Sequence, residues 1–234
     1  MLTLYQAPRA WRSANFSPFC MKVELYLRMA EIPYVQKPGD PRKAPKGKIP
    51  YVRLEPGGPL IGDSSHIIDQ LKERFEDRVD GHLSETQHAL GHLVKRTLEE
   101  GTYWSGLYDR WVNEDHFQEL KRVLFGSFMG PPLIWIVPDL VRKRVLGTLF
   151  GQGISRHTRA EIYALAQQDF SAIETLIETG PFLFGEKPTS YDAAIAAFTS
   201  AIWRTPFAAG FGVCPPRVHA ITESLYARYF PELA

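Results

Sequence analysis

Ser17-Pro18-Phe19-Cys20 opens the first clear helical stretch of the chain, and the fold is read outward from it. Pro18 suits the first helical turn, where an N–H has no intrahelical partner, and Ser17 suits the N-cap before it. Helical spacing over 18–30 sets Phe19, Val23, Tyr26 and Leu27 on one face. Upstream, Leu2-Thr3-Leu4-Tyr5 is a short β-prone run, and 33–36 and 50–54 read as two further strands. Glu55-Pro56-Gly57-Gly58 is a turn signal joining the last of these to Pro59-Leu60-Ile61 as a hairpin. Residues 64–75 then form a second helix with Ile67, Ile68, Leu71 and Phe75 inward. The order βαβ, then ββα, predicts a small α/β sandwich over residues 1–78.

From Ser84 onward no convincing strand appears. Helical period runs through 84–124, 138–150, 158–178, 190–203 and 215–229, so an all-helical domain is predicted over 84–234, with the boundary near Val79-Asp80-Gly81. A chain of 234 residues suits two modest domains. Its 44% hydrophobic and 23% charged residues are ordinary for a globular protein with a sizeable core. The net charge of +1 gives no reason to expect nucleic acid or an anionic membrane as partner. Residues 123–141 are apolar but interrupted by Gly126, Gly130, Pro131, Pro132 and Pro138. They fall short of the roughly 20 apolar residues of a spanning helix and read as buried helix ends and a turn, with an interfacial segment as the lesser alternative. Two cysteines, Cys20 and Cys214, make no disulfide framework and sit at no zinc spacing, which suits a reducing, intracellular compartment.

Three stretches carry chemistry. At Ser17-Pro18-Phe19-Cys20 a helix N-terminus favours an anion, and a thiolate is one; a hydroxyl aimed at a sulfur there would raise its ionised fraction. The plainer reading is that Ser17 only caps the helix. Gly47-Lys48-Ile49-Pro50-Tyr51 places a proline at the start of a strand, a position where the bond can be cis, although only about one X–Pro bond in twenty is. Gly62-Asp63-Ser64-Ser65-His66-Ile67-Ile68 places a carboxylate and hydroxyls at the start of an apolar-faced helix, as an N-cap or as a cradle for a ligand bearing an amine and a carboxylate.

In this order and spacing the three stretches resemble the glutathione transferase N-terminal domain, with its thioredoxin-like fold. Pro181-Phe182-Leu183-Phe184-Gly185-Glu186-Lys187-Pro188-Thr189-Ser190-Tyr191-Asp192 resembles a segment of the family's helical domain, where Thr189 and Asp192 form a capping box. Further stretches, among them Leu27-Arg28-Met29-Ala30 and Gly151-Gln152-Gly153-Ile154-Ser155-Arg156-His157, look like the failed-axon-connections and metaxin-like branch, some of whose members are not detoxifying enzymes. The resemblance implies a thioredoxin-like α/β domain followed by an all-α bundle, and a dimeric cytoplasmic transferase that uses glutathione as co-substrate without a metal. By it, Ser17 stabilises the glutathione thiolate. Ile49 and Pro50 offer main chain to the cysteinyl part, Asp63 and Ser64 hold the γ-glutamyl end, and Lys48 reaches the glycyl carboxylate. Trp104, Tyr108 and Trp111, at helical spacing, line the pocket of a small apolar electrophile or else belong to the core. Two other functions compete. One is thiol–disulfide chemistry with Cys20 as nucleophile, disfavoured because Ser17 holds the attacking position of glutaredoxin-like sites. The other is a non-catalytic interaction module. The loop 7–16 is longer than in tau-type relatives and either covers the site or fills it.

Overall fold

The computed structural model describes residues 1–126 and 129–233. Strand β1 (Leu2–Gln6) lies inside a four-stranded sheet of order β2-β1-β3-β4, with β2 (Tyr34–Pro38), β3 (Tyr51–Arg53) and β4 (Leu60–Gly62). β1 and β2 are parallel, as a crossover through helix α1 (Pro18–Met29) allows, whereas β3 and β4 run antiparallel to their neighbours. Alternation along β1 buries Leu2, Leu4 and Gln6. Leu2 and Leu4 join Val23, Tyr26 and Leu27 of α1, Val52 of β3 and Ile67, Ile68 and Leu71 of helix α2 (Ser64–Phe75) in one core.

Every residue of α1 from Cys20 to Leu27 is buried. While Val23, Tyr26 and Leu27 face the sheet, Met21 and Leu25 belong to a second, larger core built on helices α8 (Ser190–Trp203) and α9 (Pro216–Tyr229). The single apolar face read from the sequence is therefore half of what α1 buries.

Past α2 the described residues form helices alone: α3 (Glu85–Arg96), α4 (Tyr103–Val112), α5 (Glu114–Leu120), α6 (Leu133–Gln152), α7 (Arg159–Leu176), α8 and α9, with short wide or tight turns between. The α/β layer followed by a helical bundle is the architecture predicted above. Two helix boundaries differ. The stretch 84–124 is not one helix: it widens over Thr97–Thr102 and breaks at Asn113, whose extended backbone and Oδ1, accepting from the Asp115 N–H at 3.2 Å, start α5 afresh. Pro138 does not open a helix but lies buried inside α6, just past the first turn, where a missing N–H forfeits a single bond.

The apolar stretch 123–141 also differs from its reading as buried helix ends and a turn. Ile134, Val137, Val141 and Val145 turn one stripe of α6 inward, and a helix packed on one side leaves its other side exposed. Leu133, Trp135, Ile136 and Leu140 are accordingly 56, 66, 55 and 63% exposed. No helix among the described residues is long and apolar enough to cross a membrane.

The start of α8 ties the bundle together. Thr189 Oγ1 accepts from the Asp192 N–H, and Asp192 accepts from the Thr189 N–H at 2.8 Å, the Thr189 hydroxyl at 2.6 Å and the Leu183 N–H at 2.8 Å. Asp80, fully buried, accepts the Ser190 N–H at 2.7 Å together with the Ser190 hydroxyl and the Lys72 ammonium, so it clamps α2 to α8. Burial pushes the Asp192 carboxyl up to about 6 although these donors pull it down. Replacing Asp192 by Ala strands the Leu183 and Thr189 N–H groups in the core. Asp192→Ala is expected to lower the unfolding free energy by about 2–4 kcal/mol, read as a lower urea midpoint at unchanged slope; an unchanged midpoint would show that the box contributes nothing.

Candidate functional site

Sheet register brings the predicted stretches to one edge. Tyr5 of β1 pairs with Tyr51 of β3, and Tyr51 pairs with Gly62 of β4. One residue further along, cis-Pro50 precedes β3 opposite Asp63, which follows β4, while β1 runs out at Gln6 into the loop that leads to Ser17. Antiparallel pairing thus converts a separation of 13 residues between Pro50 and Asp63 into adjacency. The basic loop before Pro50 folds over the same end: a Cβ on Gly62 would stand 3.5 Å from Pro45, and Lys46 Nζ lies 4.0 Å from the Asp63 carboxylate. Ile49 is half-buried and lies outside the strand pairing, and Lys48 is exposed.

Ser17 holds the N-cap position of α1 with an extended backbone, its carbonyl accepting the Met21 N–H at 3.0 Å. Its hydroxyl makes no capping bond, so the plainer reading of Ser17 as a side-chain cap does not hold. Asn15 fixes the serine instead: its Oδ1 accepts the Ser17 N–H at 3.0 Å and its Nδ2 donates to the Ala7 carbonyl at 2.8 Å. At the second helix the cap does form. Asp63 Oδ1 accepts from the N–H groups of Ser65 and His66 at 3.1 and 3.3 Å, from a positive-φ backbone of 83°. Its carboxylate remains about half exposed, beside buried Ser64.

Lys22 is fully buried one turn past the start of α1. Its ammonium donates to Ser65 Oγ at 3.2 Å and pairs with Glu99 in the wide turn after α3. Burial pushes Lys22 below the ordinary lysine range, and Glu99 counters that. This pair locks α1, the α2 N-terminus and the helical bundle together at the site's back wall.

Cys20 lies within α1 and is fully buried. Burial pushes its thiol up to about 12, with hydrogen bonding from the Ala7 main chain and the Ser17 side chain offsetting only part of the rise. A thiol so protonated at neutral pH is a poor nucleophile.

Loop 7–16 packs against the helical domain. The Ala14 N–H donates to Tyr226 Oη at 2.9 Å and Trp11 Nε1 to Glu119 at 2.8 Å. The rings of Trp11 and Phe16 pack with Trp111, Phe117, Leu120 and Phe125. Trp111 is thus buried beside the loop, whereas Trp104 and Tyr108 lie against Leu149, Ile154 and Ile162, one row farther round α4. Another face of α4, carrying Tyr103, Gly106 and Arg110, turns toward the start of α1: the Phe19 and Tyr103 ring centroids are 5.0 Å apart, and the Arg110 guanidinium lies 5.5 Å from the centre of the Phe16 ring. Sequence reading passed over this face. Its positions i, i+3 and i+7 were available as a signal, but the neighbouring aromatic stripe is the stronger pattern.

Residues 18–116 match the family described as glutathione S-transferase N-terminal domain, and residues 166–216 the glutathione S-transferase C-terminal domain. The isoprene-epoxide–glutathione S-transferase of Rhodococcus sp. (strain AD45) is 30% identical over 200 residues, covering 83% of this chain and 84% of that one. This chain belongs to the glutathione S-transferase family. Failed axon connections of Drosophila melanogaster is 28% identical over 86% of this chain, which spans half of that longer protein. Among solved structures, a glutathione S-transferase of Methylobacterium radiotolerans in complex with glutathione sulfonate superposes with a TM-score of 0.62 at 15% identity, covering 99% of this chain and 93% of that one. Among the described residues of this transferase-family chain, no group of three or more His, Cys, Asp or Glu side chains is placed to hold a metal ion.

Burial of both cysteines gives a direct test. Cys214 is also buried and its thiol is likewise pushed up to about 12. Iodoacetamide at pH 8 is expected to leave the native chain unmodified over the time in which urea-unfolded chain takes up two adducts, as read by intact mass. Rapid native labelling of the Cys20 peptide would mean that the thiol is accessible and ionised.

Proposed function

We propose that this chain activates the glutathione thiol and adds it to an apolar electrophile. The observation that carries the reading is the Ser17 hydroxyl, held at the α1 N-terminus without a capping bond to the helix's N–H groups and set against the Cys20 sulfur. A sulfur at this point meets a hydroxyl donor and the positive end of the helix dipole, both of which favour the thiolate. The main chain at Ile49, beside Pro50, takes the cysteinyl portion of glutathione. Asp63 receives the γ-glutamyl ammonium, Ser64 contributes main-chain N–H at the α2 N-terminus, and Lys48 on the basic loop answers the glycyl carboxylate. On the side of Ser17 facing the helical bundle, Phe16, Trp11 and Trp111 supply apolar surface, with Trp104 and Tyr108 in the row behind. Homodimer formation, cytoplasmic residence and a detoxifying role belong to the same proposal.

Redox chemistry at Cys20 is the weaker alternative, because a buried thiol at about 12 has neither access nor charge. A non-catalytic interaction module is favoured by a separate observation, the packing of loop 7–16 into the apolar cluster on the electrophile side. Retention on glutathione-agarose separates that reading from the enzymatic one.

Conjugation of glutathione to styrene oxide is expected to fall ten- to a hundredfold in Ser17→Ala, in keeping with about 1.5–3 kcal/mol for one hydrogen bond to a charged sulfur. KM for glutathione should move little. A rate equal to the parent's would remove Ser17 from this role. Asp63→Asn keeps a capping oxygen while deleting the charge, and calorimetry is expected to show glutathione binding weakened about tenfold; unaltered affinity would place the γ-glutamyl end elsewhere.

A further inference from the structure

Arg110 is a buried cation with no anion to answer it. It is 5% exposed, and no carboxylate of the described residues lies within ion-pair distance. The neighbouring Asp109 carboxylate is already taken, accepting from Tyr163 Oη at 2.5 Å and bonded to His116 Nδ1 at 2.8 Å. Arg110 Nε donates to the Gly106 carbonyl at 3.1 Å, within its own helix, and Nη1 reaches the Phe16 carbonyl only at 3.5 Å. Nη2 takes no partner among the described residues. Nor is that nitrogen among the fully sealed, unpartnered side-chain atoms of the described residues. Burial pushes the guanidinium below its ordinary value, and the nearby Tyr103 and Asp109 offset only part of that.

The bare Gly106 is what admits the guanidinium here: a Cβ built on it would stand 3.4 Å from Arg110 Nη2. The same guanidinium abuts Phe16, the residue before Ser17. A planar fork with one weakly engaged and one free terminal nitrogen matches the two oxygens of a carboxylate.

We propose that Arg110 receives a carboxylate carried by the electrophile, so that the substrates of this chain are carboxylate-bearing electrophiles rather than wholly apolar ones. The inference rests on the reading of Ser17 as the thiolate's partner only for where the electrophile lies; the anion site itself stands on the burial of Arg110 and its unpartnered Nη2. Carboxylate binding would supply the missing counter-charge and align the reactive carbon next to the sulfur.

The test uses an unreactive probe, 3-phenylpropionate, and its amide, titrated calorimetrically into the whole chain at saturating glutathione. The acid is expected to bind at least tenfold more tightly than the amide. Arg110→Gln should abolish that preference and Arg110→Lys should restore part of it. Conjugation gives a second measure: glutathione addition to 3-benzoylacrylate should lose about ten- to a hundredfold in kcat/KM in Arg110→Gln, and addition to its methyl ester less than threefold. Acid and amide binding alike in the parent overturns the proposal, as does an Arg110→Gln chain that keeps the preference. Should Arg110→Gln fail to fold, the acid–amide comparison in the parent and in Arg110→Lys decides. Failure of the transferase reading looks different: no conjugation with either electrophile, with acid-selective binding intact.

Discussion

Helix α1 is the element on which the rest depends, because it is buried on two sides at once. A surface helix buries one stripe; this one gives Val23, Tyr26 and Leu27 to the sheet and Met21 and Leu25 to the bundle. The two cores therefore share a wall, and neither half can shift without disturbing the other's packing. Fixing α1 fixes its N-terminus, and with it the place of Ser17. Asp80 repeats the coupling at the other end, holding Lys72 of α2 against the first residues of α8. A site assembled from the edge of a sheet and the end of a helix needs such rigidity, since a hydrogen bond is lost over an ångström.

Electrostatics divides the site's surroundings into a completed half and an open one. Two cations are buried near the α1 N-terminus, at comparable depth. Lys22 is answered by Glu99 and Ser65 and serves as a bolt between helices. Arg110 hydrogen-bonds to carbonyls and is in no ion pair among the described residues. Burying an unpaired ion costs several kcal/mol, a large share of a domain's net stability of roughly 5–15 kcal/mol. Guanidinium is the more weakly hydrated cation, so arginine is the side chain that tolerates the unpaired position and lysine the one that takes the paired one. Such a cost persists most readily where function uses it, which is why the open half is the one that points to a ligand.

Much of this was legible in the residues. Strand alternation, the turn at Glu55-Pro56-Gly57-Gly58 and the capping box at Thr189 and Asp192 are local signals, and local hydrogen bonding enforces each of them. Pro50 and Asp63 were each legible locally, as a strand-opening proline and a helix-capping carboxylate, but only the family resemblance put them in one site. Their adjacency is a property of strand register, which no short window encodes. Helix boundaries at Asn113 and Leu133 escaped because apolar period continues through the break, and only the backbone turn at Asn113 stops it. Arg110 escaped for a different reason. No local pattern marks the arginine as buried, and Phe16 at the end of loop 7–16 packs against it, a long-range contact. The aromatic stripe of Trp104, Tyr108 and Trp111 drew the reading one face too far round α4 for the approach to α1.

The choice between transfer and redox chemistry comes down to one helical turn. Ser17 stands outside α1 and Cys20 inside it, three residues apart, about one turn of rise and rotation. At the outer position a polar atom lies at the helix N-terminus and is only partly buried. At the inner position the side chain is surrounded by the packing that buries α1, and the same field that would favour an anion is outweighed by desolvation. Exchanging the two residues would put a thiol where the N–H groups converge and leave a hydroxyl in the core. The present order keeps the protein's own sulfur inert and leaves the anion-favouring position to a hydroxyl, which can donate to a sulfur brought by a ligand but cannot itself be oxidised to a disulfide. That arrangement suits a protein that works on a borrowed thiol.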